Sequence, residues 1–395
     1  MSRTLDDAVI VGAARTAIGK APKGTLRNTR PDDLAAIAIK AAVERAGIDP
    51  ATIEDVVLGC AQPELEQGLN VARIASLRAG LPMTVPGATV NRFCASGLEA
   101  IAIAAQRIAF GSAEIIVAGG TESMSMVNFL GSSTRPNPRL LETHPDTYLT
   151  MGLSVEQLAR RYGVTREESD AFSVESHRKA LAAQDEGRFA PEIVPVTVRI
   201  QEMNGAGKPE FQEIEFKLDD GPRRDTTLEG LAKLRSPFRA DGIITAGNAS
   251  QRSDGAAAVV LMSAKRAQQL GATPLLRFVG YAVVALPPED FGIGPALAIP
   301  KLLKQVKLKM EDVDLIEFNE AFAAQTICSL KEFPLPVEKM NVNGGAIALG
   351  HPLGCTGARQ TVTLTYEMGR RSTQYGMVTM CAALGMGAAG LFERV

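Results

Sequence analysis

Histidine is scarce in this chain, and its cysteines are not paired. Three histidines, His144, His177 and His351, are too few for a multi-ligand metal site, so no metal is expected. The five cysteines, Cys60, Cys94, Cys328, Cys355 and Cys381, are odd in number and far apart, and none forms a Cys-x-x-Cys pair. That pattern excludes a disulfide framework and a dithiol switch, and it fits a reducing cytoplasm. An excess of charge is also missing: 42 Lys plus Arg stand against 44 Asp plus Glu. No global field draws the protein to nucleic acid or to a membrane surface, so an anionic ligand must be met by local groups. There is no run of roughly eighteen apolar residues, which argues against membrane insertion. Residues Met1 to Asp7 are polar and lead straight into Ala8-Val9-Ile10-Val11, without the basic-then-apolar layout of a secretion signal.

What is there is an ordinary globular composition, 46% hydrophobic and 22% charged over 395 residues. That length suits two domain-sized units or one duplicated unit with a large core. Ala8 to Gly12 reads as a buried strand ended by glycine, and Asp32 to Ala46 as an amphipathic helix with Pro31 at its start. Val56 to Gly59 reads as a strand, Ser96 to Phe110 as a helix ended by Gly111, and Glu114 to Ala118 as a strand stopped by Gly119-Gly120. This alternation predicts an α/β layered fold. The second half repeats it, with a strand over Val313 to Phe318, a helix from Cys355 to Met368 and a strand over Gly376 to Met380. In each half about 36 residues separate a strand end from a cysteine at a helix start, and about 24 separate that cysteine from the next strand. Cys94-Ala-Ser-Gly97 therefore has a partner in Cys355-Thr-Gly357. Two facing copies bring strand ends and helix starts to a shared seam, where α/β sheets bind ligands. Asn128 to Thr245 breaks the rhythm with the Pro-rich run Arg135 to Arg139 and a helix from Thr165 to Glu186. It reads as an insertion over the seam or as a surface elaboration for subunit contacts.

Four residues in these segments can carry chemistry. Cys94 should sit at a helix N-terminus, where unpaired N–H groups and nearby Arg92 lower a thiol pKa; alone it also reads as a small buried apolar residue. His351 lies in the glycine-rich stretch Asn343 to Gly357 and is the best candidate base for a cysteine nucleophile. Asn319 follows the strand Leu315 to Phe318, where it can orient water or polarise a carbonyl, or cap a helix from Glu320 to Leu330. Cys381 ends the strand Met377 to Met380; it can act as an acid or base, or be a buried strand-end thiol. His144 and His177 read as solvated or structural.

Taken together, Asn91 to Gly97, Gly119 to Ser125, Asn319 to Phe322, Asn343 to Gly357 and Cys381 to Gly387 resemble the ordered motif set of the thiolases, over nearly the whole chain. The resemblance implies a five-layered αβαβα fold of two similar halves, residues 1–265 with a loop domain at about 121–250, and residues 272–395. It assigns Cys94 as the acyl-carrying nucleophile, His351 as the group that takes its proton, and Cys381 as the acid/base. One oxyanion hole would be His351 with a water held on Asn319; the other, the backbone N–H groups of Cys94 and Ala383.

For CoA, the matching positions are Arg223 near the adenine or phosphates, Ser250 and Ala249 along the pantetheine, and Met151 and Phe322 lining the tunnel. CoA is a substrate, and no cofactor is implied. Three positions depart from the common patterns: Ala383 replaces a Gly, and Thr150 and Phe291 replace a His and a Met common in short-chain biosynthetic members. Thr150 and Phe291 weaken the case for a dedicated acetoacetyl-CoA enzyme, and Ser123 to Met126 followed by Pro-rich sequence and the ending Leu391 to Val395 look closer to degradative, broad-chain thiolases. The expected activity is thus thiolytic cleavage of 3-ketoacyl-CoA in fatty-acid β-oxidation. The alternatives are an acetyl-CoA acetyltransferase and, from another class, a non-catalytic acyl-CoA or lipid carrier. A ketoacyl synthase fits less well, because it pairs its cysteine with two histidines where this chain has Asn319 and Cys381. The resemblance also implies a homodimer or homotetramer and a β-oxidation partner enzyme.

Overall fold

The computed structural model describes residues 6–128, 135–203 and 209–395. The first five residues of the expected N-terminal half, and residues 129–134 and 204–208 of the inserted segment, lie outside that description. Among the described residues, eleven strands form one sheet. Its main path runs Leu315–Phe318, Tyr375–Ala382, Met386–Arg394, Leu276–Ala285, Ala8–Thr16, Ser253–Ser263, Ile115–Ser123, Asp55–Gly59 and Gly87–Val90.

The two ends of this path are copies of each other. Asp55–Gly59 pairs in parallel with Gly87–Val90 and with Ile115–Ser123, and the next two pairings are antiparallel. On the other side Leu315–Phe318 pairs in parallel with Tyr375–Ala382 and bridges in parallel to Met340, and again two antiparallel pairings follow. The copies join edge to edge where Val9 meets Arg277 and Ile10 meets Leu276.

Apolar patterning dictates the layers. The central strands are buried on both faces, as continuous Val/Ile/Ala runs require, so helices must cover each side. Leu34, Ile39 and Ala42 of the helix Pro31–Ala46 pack on one outer face. Leu98 and Ile101 of Ser96–Ala109 and Ala358 and Val362 of Thr356–Arg371 fill the middle, between strands of both copies. Ile299, Leu302 and Leu303 of Gly294–Val306 cover the other outer face. The result is the expected five-layered αβαβα arrangement.

Two strand ends differ from expectation for one physical reason. The first strand continues past Gly12 to Thr16, with a register shift at Ile10/Gly12, and the strand Ile115–Ser123 runs through Gly119 and Gly120. A Cβ on Gly12 would lie 2.2 Å from the Ala42 carbonyl, and one on Gly120 would lie 2.1 Å from the Gly354 carbonyl. These glycines permit close backbone approach and do not stop the strands.

The insertion contributes the helices Met151–Tyr162 and Arg166–Asp185, the latter opened by a capping box between Thr165 and Glu168, and a hairpin of Val196–Met203 with Pro209–Phe216. It is tied to the first strand by the buried Arg15 guanidinium, which holds Glu192 at 2.6 Å and Asp219 at 2.7 Å. Among the described residues, no helix is long and apolar enough to cross a membrane.

Candidate active site

Cys94 sits in a tight turn, Phe93–Ala95, that opens the helix Ser96–Ala109. Ser96 Oγ locks that turn by donating to the Phe93 carbonyl at 2.6 Å and accepting from Arg92 N at 2.8 Å. The expectation of a depressed thiol pKa is corrected. Burial pushes Cys94 up to about 12, against the backbone N–H groups of Cys94 and Ala383, which favour the thiolate. Arg92 gives no help, because its guanidinium is forked onto Glu99 at 2.6 and 3.1 Å. The resting group is therefore a thiol, with two N–H donors already in place around the sulfur.

His351 is held from both sides of its ring. Nδ1 lies 2.6 Å from Thr356 Oγ1, and that hydroxyl donates its single proton to the Pro352 carbonyl at 2.9 Å. Thr356 must then accept, so Nδ1 carries the ring proton and Nε2 keeps its lone pair. Nε2 faces Asn319 Nδ2 at 3.4 Å. Burial, and then the charge of Arg359, lower the imidazole to about 3, so it stays neutral and able to receive a proton. Asn319 is fully buried and its Oδ1 has no protein partner. It does not cap a helix: the following helix is Ala323–Glu332 with Phe322 at its cap position. The strand Leu315–Phe318 delivers Asn319 into the seam instead.

Cys381 lies near the end of Tyr375–Ala382, with its thiol raised by burial first and then by Cys94. Cys94, His351, Cys381, Met151, Ser250 and Phe322 line one cavity of about 140 Å³. Ala249 lies just behind it, bridged to Phe322. Ala383 borders a second cavity of about 380 Å³, which shares Met151 and Phe291 with the first and is also lined by Thr150. Arg223 is not in the lining of either cavity; its backbone N–H donates to His177 Nδ1 at 3.2 Å. Of the two readings of His177, solvated or structural, the structure shows the structural one: it is buried, and burial followed by Arg223 lowers it to about 4. His144 is exposed.

Two glutamates inside the motifs have roles that local pattern does not reveal. Glu122 accepts from Gln67 Nε2 at 2.6 Å, Gly354 N at 2.7 Å and Ala61 N at 2.8 Å, clamping the turn before Cys355 to the other half. Glu320 accepts from Ser176 Oγ at 2.6 Å, Asn341 Nδ2 at 2.7 Å and Ile347 N at 3.3 Å, which fixes the glycine-rich segment leading to His351. Their only signal in the sequence is their place inside Gly119-Gly-Thr-Glu-Ser and Asn319-Glu-Ala-Phe. Thr356 is likewise legible only as the counterpart of Ser96.

A two-halved α/β fold with a thiol, an imidazole, an amide and a second thiol at its seam defines the class. The family models "Thiolase, N-terminal domain" and "Thiolase, C-terminal domain" match residues 8–265 and 272–394, and the chain belongs to the thiolase family of acyltransferases. It is 52% identical to the 3-ketoacyl-CoA thiolase of Bacillus subtilis (strain 168), over 98% of this chain and 100% of that one. Among solved structures, it resembles the Bacillus anthracis acetyl-CoA acetyltransferase with a TM-score of 0.90 at 41% identity, and human mitochondrial 3-ketoacyl-CoA thiolase with a TM-score of 0.88 at 37% identity. Both likenesses cover 100% of each chain.

Proposed function

We propose that the protein is a 3-ketoacyl-CoA thiolase (acetyl-CoA C-acyltransferase) that cleaves 3-ketoacyl-CoA with CoA to acetyl-CoA and a shortened acyl-CoA in fatty-acid β-oxidation. One observation carries the choice of longer substrates. The larger cavity adjoins the catalytic one, and Thr150, Phe291 and Ala383, the three departures from the common patterns, all border it.

In this reading Cys94 Sγ attacks the 3-keto carbon as its proton passes to His351 Nε2. The tetrahedral oxyanion is held by the N–H groups of Cys94 and Ala383. The bond between the second and third carbons then breaks. Its electron pair forms the acetyl-CoA enolate, stabilised by His351 and a water on Asn319 and protonated by the Cys381 thiol. The Cys381 thiolate next takes the proton of incoming CoA, whose sulfur attacks the Cys94 thioester. Cys94 leaves as its thiol with the proton returned by His351. CoA lies along Ser250 and Ala249, passes Met151 and Phe322, and ends near Arg223. It is a substrate, and the reaction uses no resident metal or redox cofactor.

The domain reading is two thiolase halves, 1–265 and 272–395, with the loop domain at about 121–250 over the seam. A homodimer or homotetramer is supported by the edge strand Gly87–Val90 and by Leu69 and Met83 near it, 98% and 82% exposed. A cytoplasmic setting with a β-oxidation partner enzyme completes the reading.

The test is CoA-dependent loss of enolate absorbance with acetoacetyl-CoA and 3-ketododecanoyl-CoA on one sample. Faster cleavage of the longer chain is expected. Activity on acetoacetyl-CoA alone would favour an acetyl-CoA acetyltransferase instead. Cleavage of neither would leave a carrier.

A further inference from the structure

We propose that Phe93 and Leu384 form the walls of an acyl-chain subsite and that Leu384 sets the chain length the enzyme accepts, an inference that rests on the thiolase reading. Phe93 directly precedes Cys94, and Leu384 directly follows Ala383. Both have left-handed backbones, with φ of 47° and 62°, a region that suits glycine and is unfavourable for bulky side chains. Both line the cavity of about 380 Å³. The chain therefore keeps two large apolar side chains at strained positions on either side of the backbone donors that face the reacting sulfur. Glycine would relieve the strain at Leu384, and Gly385 at φ 73° shows the turn already uses one. Such strain persists where the side chain serves the site.

The ligand follows from the lining. Among the described residues, Glu64 is its one charged side chain, and Phe93, Leu149, Met151, Phe291 and Leu384 supply apolar surface, so the site suits a hydrocarbon tail and not the phosphates of CoA. Leu384 is 45% exposed, an apolar surface that a bound tail would cover. The route is continuous as well. Met151 and Phe291 border both cavities, so a tail attached at Cys94 enters this space while the pantetheine arm lies toward Ser250 and Phe322.

The experiment compares wild type, Leu384→Gly and Thr150→Trp by kcat/KM on acetoacetyl-CoA, 3-ketooctanoyl-CoA and 3-ketohexadecanoyl-CoA. Leu384→Gly suits the backbone and removes a wall; Thr150→Trp fills the same cavity from another lining position. Each variant should keep acetoacetyl-CoA turnover within about twofold while losing roughly tenfold or more on the longest substrate, the scale expected for a few lost or blocked methylene contacts. Equal losses at every length, or an unchanged profile in both variants, would overturn the subsite. Wild-type enzyme that cleaves none of the three would instead sink the thiolase reading beneath it.

Discussion

The two halves place a tight turn and a long helix side by side at the seam, and Cys94, not Cys355, lines the cavity of about 140 Å³. Cys94 and Cys355 each sit in a tight turn that begins a long helix, but one position apart: Ser96 and Thr356 open the helices, so Cys355 answers to Ala95 and Gly354 to Cys94. Each cysteine is buried, and burial pushes each thiol up to about 12. What differs is the facing strand end. Before Cys94 stand Cys381 and the N–H of Ala383, with a cavity between the elements. Before Cys355 stands the carboxyl of Glu122, which with Gln67 fills the equivalent space and binds Gly354 N. Duplication thus supplied two helix starts, and the side chains opposite them made one a site and the other a clamp. An elevated thiol pKa therefore does not separate Cys94 from Cys355; access to a cavity and neighbouring donors do.

The largest effect should come from testing that asymmetry directly. Cys94→Ser should abolish the acyl-enzyme seen by mass spectrometry and cut kcat by about a thousandfold or more, whereas Cys355→Ser should leave kcat within about twofold. Equal losses in the two variants would erase the distinction. Next, Cys381→Ala should slow carbon–carbon cleavage by about a hundredfold or more while leaving some acyl transfer between Cys94 and CoA measurable, since the enolate loses its proton donor outright whereas the CoA thiol, which loses only its base, ionises in part by itself.

A smaller loss is expected at Thr356, the positioning residue that keeps the proton on Nδ1. Thr356→Val should cost roughly tenfold to a hundredfold in kcat with KM little changed, and Thr356→Ser should restore the rate. Failure of the serine variant to rescue would mean that Thr356 acts through packing alone.

The mildest test is pH. His351 and His177 are lowered from 6.5 to about 3 and about 4, so the folded state binds fewer protons than the unfolded chain between those values. Their contribution to stability is fully present above 6.5 and declines as pH falls toward 4. Urea midpoints should follow that slope, and His177→Gln should flatten part of it. A slope unchanged by that variant would contradict a buried, neutral His177.

Much of this was legible before folding. The strand and helix rhythm, the repeated turn before each long helix and the run Asn343 to Gly357 are local patterns, and local patterns report backbone preference directly; the pairing of Cys94 with Cys355 is one position off, since Cys355 answers to Ala95. The misreadings share one cause. Gly12 and Gly119-Gly120 read as strand ends because their partners, Ala42, Ala257 and Gly354, are remote in sequence. Arg92 read as an activator of Cys94 because nearness along the chain is not direction in space: its guanidinium turns to Glu99. Asn319 offered two roles, and the end of the strand Leu315–Phe318 decided between them by delivering it to His351.

The sequence by itself determined the elements, the duplication and the residue types the chemistry needs, because each depends on neighbours a few positions apart. Only the tertiary structure decided which cysteine meets a cavity, which nitrogen of His351 is free and where Leu384 and Phe93 converge. Those properties come from burial and from contacts between segments far apart in the chain, and no local pattern encodes them.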